Sequence, residues 1–427
     1  MSSPLIAVIG LGYVGLPLAL AFSRHYSVAG YDRSKSRVAE LKDGHDSTGE
    51  VQPPELKAAT LNISDDPGPI EGADYFVIAV PTPVDSDNRP DLENVIQACG
   101  TIGEAMKKGA VVVLESTVYP GVTEGVCGPA LEKASGLKSG KDFFLGYSPE
   151  RINPGDKEHT IDRITKVVAG QTPEVTEALR ELYGAITSGG VFVAKDIKTA
   201  EAAKVIENAQ RDINIAFINE AAMIFSRLGL STLDVLDAAR SKWNYLPFEP
   251  GLVGGHCIGV DPFYLAHLAH ELGHDPEVIL AGRRINDGMA KFLAGRIDEG
   301  LSECLASGEQ GSVLVLGLTF KENVPDLRNS KVVDLIQSLK SLGHRVDVHD
   351  DRADPDEAER LYGLKLLDRL DNNQAYDCVV GAVPHAGYAG FDAKFLASLV
   401  KPGGLIADLK GMWREVDLGP GVKRLEI

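Results

Sequence analysis

Short apolar runs alternate with helix-like stretches over the first half of the chain. LIAVIG (5–10) is almost entirely apolar and ends in glycine, a pattern typical of a strand buried on both faces of a parallel sheet. A helical stretch follows it, and SVAGYD (27–32) predicts a second strand. Further strands are predicted in ADYFVIAVPTP and AVVVLESTVYP, ending at Pro81 and Pro120, and within 141–151. This alternation predicts a doubly wound α/β domain over roughly the first 190 residues.

A long helix is predicted in the middle of the chain. Residues 199–229 contain many helix formers, no proline, and no glycine before the last position. At about 1.5 Å per residue such a helix is roughly 45 Å long, which exceeds the size of a small domain. It can therefore link two domains, form a dimer interface, or do both.

A second α/β pattern follows the helical centre, with strands predicted in 312–321, 344–350, 376–384 and 403–411. The fold prediction is therefore α/β, with two Rossmann-like doubly wound domains joined by a long central helix. We place the domains at 1–195, 196–305 and 306–427. The first and third share an architecture without a visible sequence repeat.

Composition and charge narrow the class of partner. The 427 residues carry a formal net charge of −18, which argues against a nucleic-acid or anionic-membrane surface. We expect no membrane span or signal peptide, because no apolar run is long enough and no charged segment precedes the first one. The five cysteines are widely spaced and form no CxxC motif, so we expect a reducing cytoplasm and no metal site.

The turn after the first predicted strand has the spacing G-x-G-x-x-G and spans Gly10–Gly15. Glycines at these positions permit a tight turn, close approach of a pyrophosphate, and close helix–strand packing. Asp32 ends the second predicted strand and can accept hydrogen bonds from a ribose, which favours NAD over NADP. Arg33 leaves NADP open, because an arginine can receive a 2′-phosphate. A glycine-rich turn without a ligand is the alternative.

Several polar residues follow predicted strands. Thr82 and Thr117 would line the cofactor crevice, or act only as turn or capping residues. Glu150, after the strand within 141–151, is either a site residue or an ordinary loop glutamate. Lys321 and Arg328 bring positive charge to the place where such sheets bind nucleotides, unless they are simply solvated.

Lys204 and Asn208 are four residues apart on the predicted central helix and so share a face. A lysine and an amide on one face can polarise and orient a substrate oxygen. A solvated helix face explains the same spacing.

Cys257 lies in GLVGGHCIGVDP (251–262), between glycines. A disulfide does not fit a reducing compartment, and adjacent His256 alone does not make a metal site. Burial as a small apolar residue is common for cysteine. Glycines on both sides permit close approach of a ligand, and Asp261 is near enough in sequence to assist proton transfer. Cys257 is therefore either a nucleophile or a core residue. The other four cysteines lie in apolar or helical contexts and are predicted to be structural.

In order along the chain, GLGYVGLPLA, VPTPVD, ESTVYPG, SPER, the Lys204–Asn208 pair, GGHCIGVDP and TFKENVPDLR resemble the UDP-glucose/GDP-mannose dehydrogenase family. The resemblance covers essentially the whole chain. The GGHCIGVDPFYL and SPERINPG variants are most similar to those of members that act on N-acetylated UDP-hexosamines.

The resemblance implies a four-electron oxidation at sugar C6, in which two NAD⁺ become two NADH. Cys257 would form a thiohemiacetal and then a thioester that water hydrolyses. It also implies NAD in domain 1–195, the catalytic cysteine loop and a homodimer contact in 196–305, and UDP in 306–427. The predicted catalytic residues are Cys257, Lys204, Asn208, Asp261, Thr117 and Glu150. The predicted cofactor-binding residues are Gly10, Gly12, Tyr13, Val14, Gly15, Asp32, Arg33, Thr82, Thr117 and Arg328. The predicted substrate-binding residues are Glu150, Arg151, Lys204, Asn208, Gly254, His256 and Lys321.

Two positions depart from the pattern of simple UDP-glucose enzymes. Pro154 stands where those proteins usually carry a second glutamate, and His256 stands where they have a small residue. We therefore expect UDP-N-acetylgalactosamine or UDP-N-acetylglucosamine as substrate, for surface polysaccharide precursors. The alternatives are a UDP-glucose or UDP-N-acetylmannosamine 6-dehydrogenase, a single-step hydroxyacid dehydrogenase, and a non-catalytic nucleotide-binding regulator.

Overall fold

The computed structural model describes residues 3–152, 156, 158–255, 257–306, 308–370 and 374–426, without the side chain of Cys257. The chain divides into two compact units. The first unit contains Met1–Asn208 and Val260–Asp275, and the second contains Ala209–Gly259 and Pro276–Ile427. The division into three domains at 195/196 and 305/306 stays a prediction.

The first unit is built on one eight-stranded sheet. Its strands are β1 (Leu5–Ile9), β2 (Ser27–Tyr31), β3 (Leu61–Ser64), β4 (Tyr75–Ile78), β5 (Val111–Leu114), β6 (Phe144–Tyr147), β7 (Lys166–Gly170) and β8 (Val191–Val193). The spatial order is β3-β2-β1-β4-β5-β6-β7-β8. Every pair is parallel except β6 with β7. The carboxyl ends of β1 to β6 therefore meet along one edge.

Helices cover both faces of this sheet. They are α1 (Gly15–Ser23), α2 (Lys35–Lys42), α3 (Pro53–Ala58), α4 (Glu93–Ala105), α5 (Gly128–Ser135) and α6 (Pro173–Gly184), with a 3₁₀ turn at Gly68–Ile70 and a π-helical turn at Thr123–Cys127. Successive residues of β1 point to opposite faces. Ile6 and Val8 therefore join one apolar core, whereas Ala7 and Ile9 join the other. Burial on both faces explains why the strand is apolar throughout.

The helical centre contains α7 (Ile197–Leu228), α8 (Thr232–Arg240), α9 (Cys257–Glu271) and α10 (Glu277–Ser302). The helix predicted over 199–229 is confirmed as α7, with 32 residues. Pro262 lies inside α9, five residues after its first residue, and as a proline it donates no backbone hydrogen bond there. No helix among the described residues is both long and apolar enough to span a bilayer.

The second unit carries a five-stranded parallel sheet. Its strands are β9 (Ser312–Leu316), β10 (Arg345–His349), β11 (Tyr376–Gly381), β12 (Val400–Asp408) and β13 (Lys423–Glu426), in the order β10-β9-β11-β12-β13. Its remaining helices are α11 (Val332–Ser341), α12 (Pro355–Tyr362), α13 (Ala386–Ala389) and α14 (Ala393–Leu399). The α/β fold with two sheets and a long central helix is thus confirmed.

Strand ends are where the sequence pattern was wrong. The strands predicted to end at Pro81 and Pro120 end at Ile78 and Leu114. The residues between have strand-like composition but have left the ladder, so composition alone does not locate the last pairing. The short strands β3, β7, β8 and β13 were not predicted.

Candidate active site

The turn Gly10–Gly15 connects β1 to α1, and each of its glycines meets a different demand. Gly10 has φ +91°, and a Cβ there would lie 2.8 Å from the Ala79 carbonyl oxygen. A Cβ on Gly15 would lie 1.8 Å from the Gly10 oxygen, so Gly15 is needed for helix–strand packing. A Cβ on Gly12 would meet nothing within 4 Å. Gly12 therefore faces open space at the start of α1, where a pyrophosphate can approach.

Asp32 directly follows β2 and lies beside this turn. Its Oδ2 accepts the Leu11 N–H at 2.9 Å, and its Oδ1 accepts the Ser34 N–H at 2.8 Å. The carboxylate is partly exposed, so each oxygen keeps a lone pair for a ribose hydroxyl. Arg33 instead donates to the side-chain oxygens of Asn94 and Gln97 on α4. This geometry fits an NAD ribose.

Thr82 and Thr117 follow β4 and β5, on the edge where these parallel strands end. The Thr82 carbonyl accepts the Tyr264 hydroxyl at 2.7 Å, which ties the loop after β4 to α9. The loop after Thr117 is held from α7: Glu201 accepts the Thr123 N–H at 2.9 Å and its hydroxyl at 2.6 Å. Both threonines are partly exposed at a fixed loop.

Lys204, Asn208 and Asp261 are brought together within the first unit. Asn208 donates from Nδ2 to Asp261 Oδ2 at 2.5 Å, so α7 and α9 meet at this pair. All three side chains are buried. Across the part of the chain that the structure describes, Lys204 forms no ion pair, which leaves its ammonium available to a substrate oxygen.

Glu150 lies beyond the end of β6, in a buried charged cluster. Its Oε1 accepts the backbone N–H groups of Arg151 and Ile152, the latter at 2.6 Å. Its Oε2 lies 3.5 Å from Lys166 Nζ, and the same Nζ lies 3.3 Å from Glu115 Oε2. Arg151 pairs with Glu207 of α7 at 2.8 Å.

The glycine-rich segment before Cys257 lies in the second unit. A Cβ on Gly254 would lie 2.5 Å from the Asn329 oxygen, and one on Gly255 would lie 2.6 Å from the Phe320 ring. Asn219 clamps Gly251 by accepting its N–H at 2.8 Å and donating to its carbonyl at 3.0 Å. These glycines therefore let the segment pack closely against its own unit.

Cys257 begins α9, so the predicted loop ends at the cysteine and its first helical turn follows. Asp261 comes one turn later on the same helix. The Cys257 side chain, His256 and Pro154 lie outside the described residues.

Lys321 and Arg328 lie in the long segment between β9 and α11. Arg328 forms a two-point ion pair with Asp326, at 2.9 Å and 2.6 Å. Its charge is therefore partly neutralised within the segment. Lys321 is partly exposed.

The sequence reasoning missed five residues that shape these regions: Glu115, Lys166, Glu201, Tyr264 and Lys410. Lys410 follows β12 and donates to the Pro250 carbonyl at 3.2 Å, and burial lowers the pKa of its ammonium. Glu115 stands in ESTVYPG two residues before Thr117. An ionisable residue directly after a wholly apolar strand was the one sequence signal available for it.

Three family models match this chain. Residues 4–187 match the NAD binding domain of the UDP-glucose/GDP-mannose dehydrogenase family, 198–288 its central domain, and 314–415 its UDP binding domain. Protein CapL of Staphylococcus aureus is 52% identical over 410 residues, covering 95% of this chain and 96% of that protein.

A UDP-N-acetyl-D-glucosamine 6-dehydrogenase of Pseudomonas aeruginosa is 48% identical over 410 residues, covering 95% of this chain and 96% of that protein. Among solved structures, the UDP-D-ManNAc dehydrogenase from Pyrococcus horikoshii superposes with a TM-score of 0.88 at 29% identity, covering 99% of both chains.

Proposed function

The chain belongs to the UDP-glucose/GDP-mannose dehydrogenase family and is an NAD-dependent UDP-sugar dehydrogenase, and from this we propose that it oxidises C6 of a UDP-N-acetylhexosamine to the carboxylate. The gluco and galacto epimers are the two candidate substrates. The observation that carries the proposal is the 48% identity, over 95% of the chain, to a relative named for UDP-N-acetyl-D-glucosamine.

The buried Lys204–Asn208–Asp261 group supports a role at the C6 oxygen. Lys204 donates to that oxygen and stabilises its developing negative charge, while the Asn208 amide fixes the Asp261 carboxylate. Asp261 is then placed to accept the proton of the C6 hydroxyl group. When bound at the Gly12 turn, NAD⁺ supplies the hydride acceptor for each of the two oxidation steps.

Cys257 is the proposed nucleophile of the second half of the reaction. Its thiolate adds to the C6 aldehyde and gives a thiohemiacetal, and loss of a hydride and a proton gives a thioester. Water then adds to the thioester carbonyl, and the C–S bond breaks to release the carboxylate and the free thiol.

Thr117 and Glu150 are proposed to hold the water that acts as proton acceptor or in thioester hydrolysis. The buried Glu150 carboxylate, fixed by two backbone N–H groups, supports this role. Arg151, Gly254, His256 and Lys321 are proposed to bind the nucleotide sugar. Arg33 and Arg328 are proposed at the cofactor, together with Thr82 and the glycine turn that includes Tyr13 and Val14.

We propose a homodimer formed through α7. Phe217, Ile224 and Leu228 are exposed, and their spacing of seven and four residues places them on one helix face. Trp243, 92% exposed, lies beyond α8 of the same unit. Large apolar side chains in a row mark a protein interface, and a second copy supplies the same apolar face in return. Phe217→Asp should convert the dimer to a monomer in sedimentation analysis.

We further propose a cytoplasmic location and a role in making surface polysaccharide precursors. Cys99, Cys127, Cys304 and Cys378 are unpaired thiols, which supports a reducing compartment.

Limiting amounts of four UDP-sugars with excess NAD⁺ test the substrate proposal. UDP-N-acetylglucosamine or its galacto epimer should give two NADH per sugar, with kcat/KM far above that for UDP-glucose. A site that hydrogen-bonds an acetamido group rejects a substrate lacking it, because buried partners are left unpaired. Equal use of UDP-glucose, or better use of UDP-N-acetylmannosamine, would overturn the substrate assignment.

Cys257→Ser tests the covalent mechanism separately. Turnover should fall by orders of magnitude while UDP-sugar affinity stays within a few fold, because a hydroxyl is a far weaker nucleophile than a thiolate. A variant with a tenth of wild-type turnover would contradict the thioester.

A further inference from the structure

Two buried carboxylates share a single lysine behind the proposed water-holding residue. Lys166 Nζ lies 3.3 Å from Glu115 and 3.5 Å from Glu150. Glu115 and Lys166 are fully buried, whereas Glu150 is 7% exposed. Glu115 is therefore too enclosed to touch a substrate, and it can act on the site only through the charges of Lys166 and Glu150.

The elements packed around Glu115 supply few other polar groups. Glu115 follows β5, Glu150 follows β6, Lys166 begins β7, and Tyr183 on α6 places its ring 5.4 Å from Lys166 Nζ. Ser148, also buried, stands between β6 and Glu150. Two carboxylates and one ammonium leave an uncompensated negative charge when all are ionised. One proton on the cluster removes that charge.

The ionisation of this cluster changes near neutrality. Burial raises the pKa of Glu115 to about 7; Lys166 opposes the shift and Glu150 adds to it. Burial disfavours the Lys166 ammonium, but the two carboxylates outweigh burial and raise the pKa of Lys166. Lys166 thus stays charged while Glu115 gains or loses its proton around pH 7.

Resting on the proposed function, we propose that Glu115 is a positioning residue that acts through Lys166 to control how strongly the Glu150 carboxylate attracts the proton of the hydrolytic water. With Glu115 protonated, the whole Lys166 charge faces Glu150 and weakens it as a proton acceptor. With Glu115 ionised, Lys166 is shared, and Glu150 accepts the water proton more readily. Thioester hydrolysis therefore accelerates as pH rises through the ionisation of Glu115.

Glu115→Gln removes this control with almost no change of shape. Lys166 then faces Glu150 at every pH. At pH 8 we expect kcat to fall about tenfold with KM little changed, because a general base loses efficiency as its basicity falls. The covalent sugar–enzyme intermediate should accumulate in mass spectra of the quenched enzyme. The step in kcat near pH 7 should disappear in the Gln variant and persist in Glu115→Asp.

Melting temperatures provide a readout that does not depend on activity. A carboxyl with a raised folded-state pKa binds its proton more tightly in the folded protein, so stability falls as pH rises from the unfolded pKa toward the folded one. The wild type should therefore lose melting temperature relative to Glu115→Gln between pH 5 and pH 8. Asp46→Asn is the matched control, because Asp46 is a buried carboxylate of the same unit that pairs with Arg37. It should not alter the step in kcat.

The two proposals fail in different ways. A yield other than two NADH per UDP-N-acetylhexosamine in the wild type would refute the proposed function. A yield of two, combined with an unchanged step near pH 7 and no trapped intermediate in Glu115→Gln, would refute the role of Glu115 alone.

Discussion

Asp32 and Asp350 occupy equivalent positions in the two units. Each follows the strand that pairs with the first strand of its sheet, β2 beside β1 and β10 beside β9. Each also accepts backbone N–H groups from the turn after that first strand, Leu11 in one unit and Leu318 in the other. The local architecture is thus the same up to the two carboxylates.

The surroundings of the two carboxylates differ. Asp350 Oδ2 accepts from Leu318, Thr319 at 3.0 Å and His385 at 3.1 Å, while Oδ1 accepts two further N–H groups near 2.8 Å and 2.9 Å. The Asn323 N–H donates to His385 Nδ1, so Nε2 carries the proton given to Asp350. Although burial disfavours the charged form, the His385 and backbone hydrogen bonds hold the pKa of Asp350 at about 2.

The two acids therefore differ in their remaining capacity to accept hydrogen bonds from a ligand. Asp32 keeps acceptor capacity beside the open face of Gly12, and α1 begins five residues after Gly10. The acceptor capacity of Asp350 is used by donors of its own unit, and α11, the helix that follows the Gly317 turn along the chain, begins only at Val332. A dinucleotide-binding turn therefore needs an acidic residue with free hydrogen-bond acceptor capacity, in addition to the right strand topology.

Removing the Asp350 carboxylate should produce the largest of these effects, a loss of stability. Asp350→Ala leaves five donors unpaired and should lower the free energy of unfolding by about 3–5 kcal/mol, the range for breaking a buried charged network. Denaturant unfolding measures the loss. NAD affinity of the folded protein should stay unchanged, whereas a weakened NAD complex with normal stability would reverse the two assignments.

Gly317 in the second unit and Gly12 in the first differ in the space available for a Cβ atom. Gly317 has φ +93°, and a Cβ there would lie 2.4 Å from the Val383 Cβ. Gly317→Ala should therefore destabilise the protein by about 1–3 kcal/mol. Gly12→Ala should leave stability almost unchanged, because the new methyl group meets no protein atom. It should weaken NAD binding more than tenfold, because that methyl group occupies the space that the pyrophosphate approaches. Calorimetry and NAD titration of both variants test whether one loses stability and the other loses NAD affinity. Equal losses of melting temperature would contradict this prediction.

Asp32→Ala should have a moderate effect on cofactor binding, with a smaller loss of stability because the Leu11 and Ser34 N–H groups lose their acceptor. Loss of the ribose hydrogen bonds should weaken NAD about tenfold, or about 1.4 kcal/mol, and relax discrimination against NADP. The ratio of kcat/KM values for the two cofactors is the measurement. Wild-type protein that uses NADP as well as NAD would contradict the role of Asp32.

Arg33→Ala should have the smallest effect. The Arg33 guanidinium is engaged by Asn94 and Gln97, so the variant should keep the NAD preference within about twofold, well under 1 kcal/mol. A strong change in NADP use would show that Arg33 leaves α4 and controls the ribose pocket.

The features predicted from the sequence are those set by neighbours along the chain. The Gly10–Gly15 turn, Asp32 and α7 are encoded in spacing and composition within single segments. The start of α9 at Cys257 was not predicted, because glycines and Pro262 oppose a helix locally. The Glu115–Lys166 pair joins residues 51 positions apart, through a short strand that lies two strands from β5 in the sheet. Tertiary packing creates such a pair, and no local sequence pattern predicts it.

The central claim is that one of the two sheets binds the dinucleotide and the other does not. Isothermal titration of the purified chain with NAD⁺ tests it most directly. We predict one NAD per chain, abolished by Gly12→Val and retained by Lys321→Ala in the second unit. Two NAD per chain, or one that survives in Gly12→Val, would contradict the account.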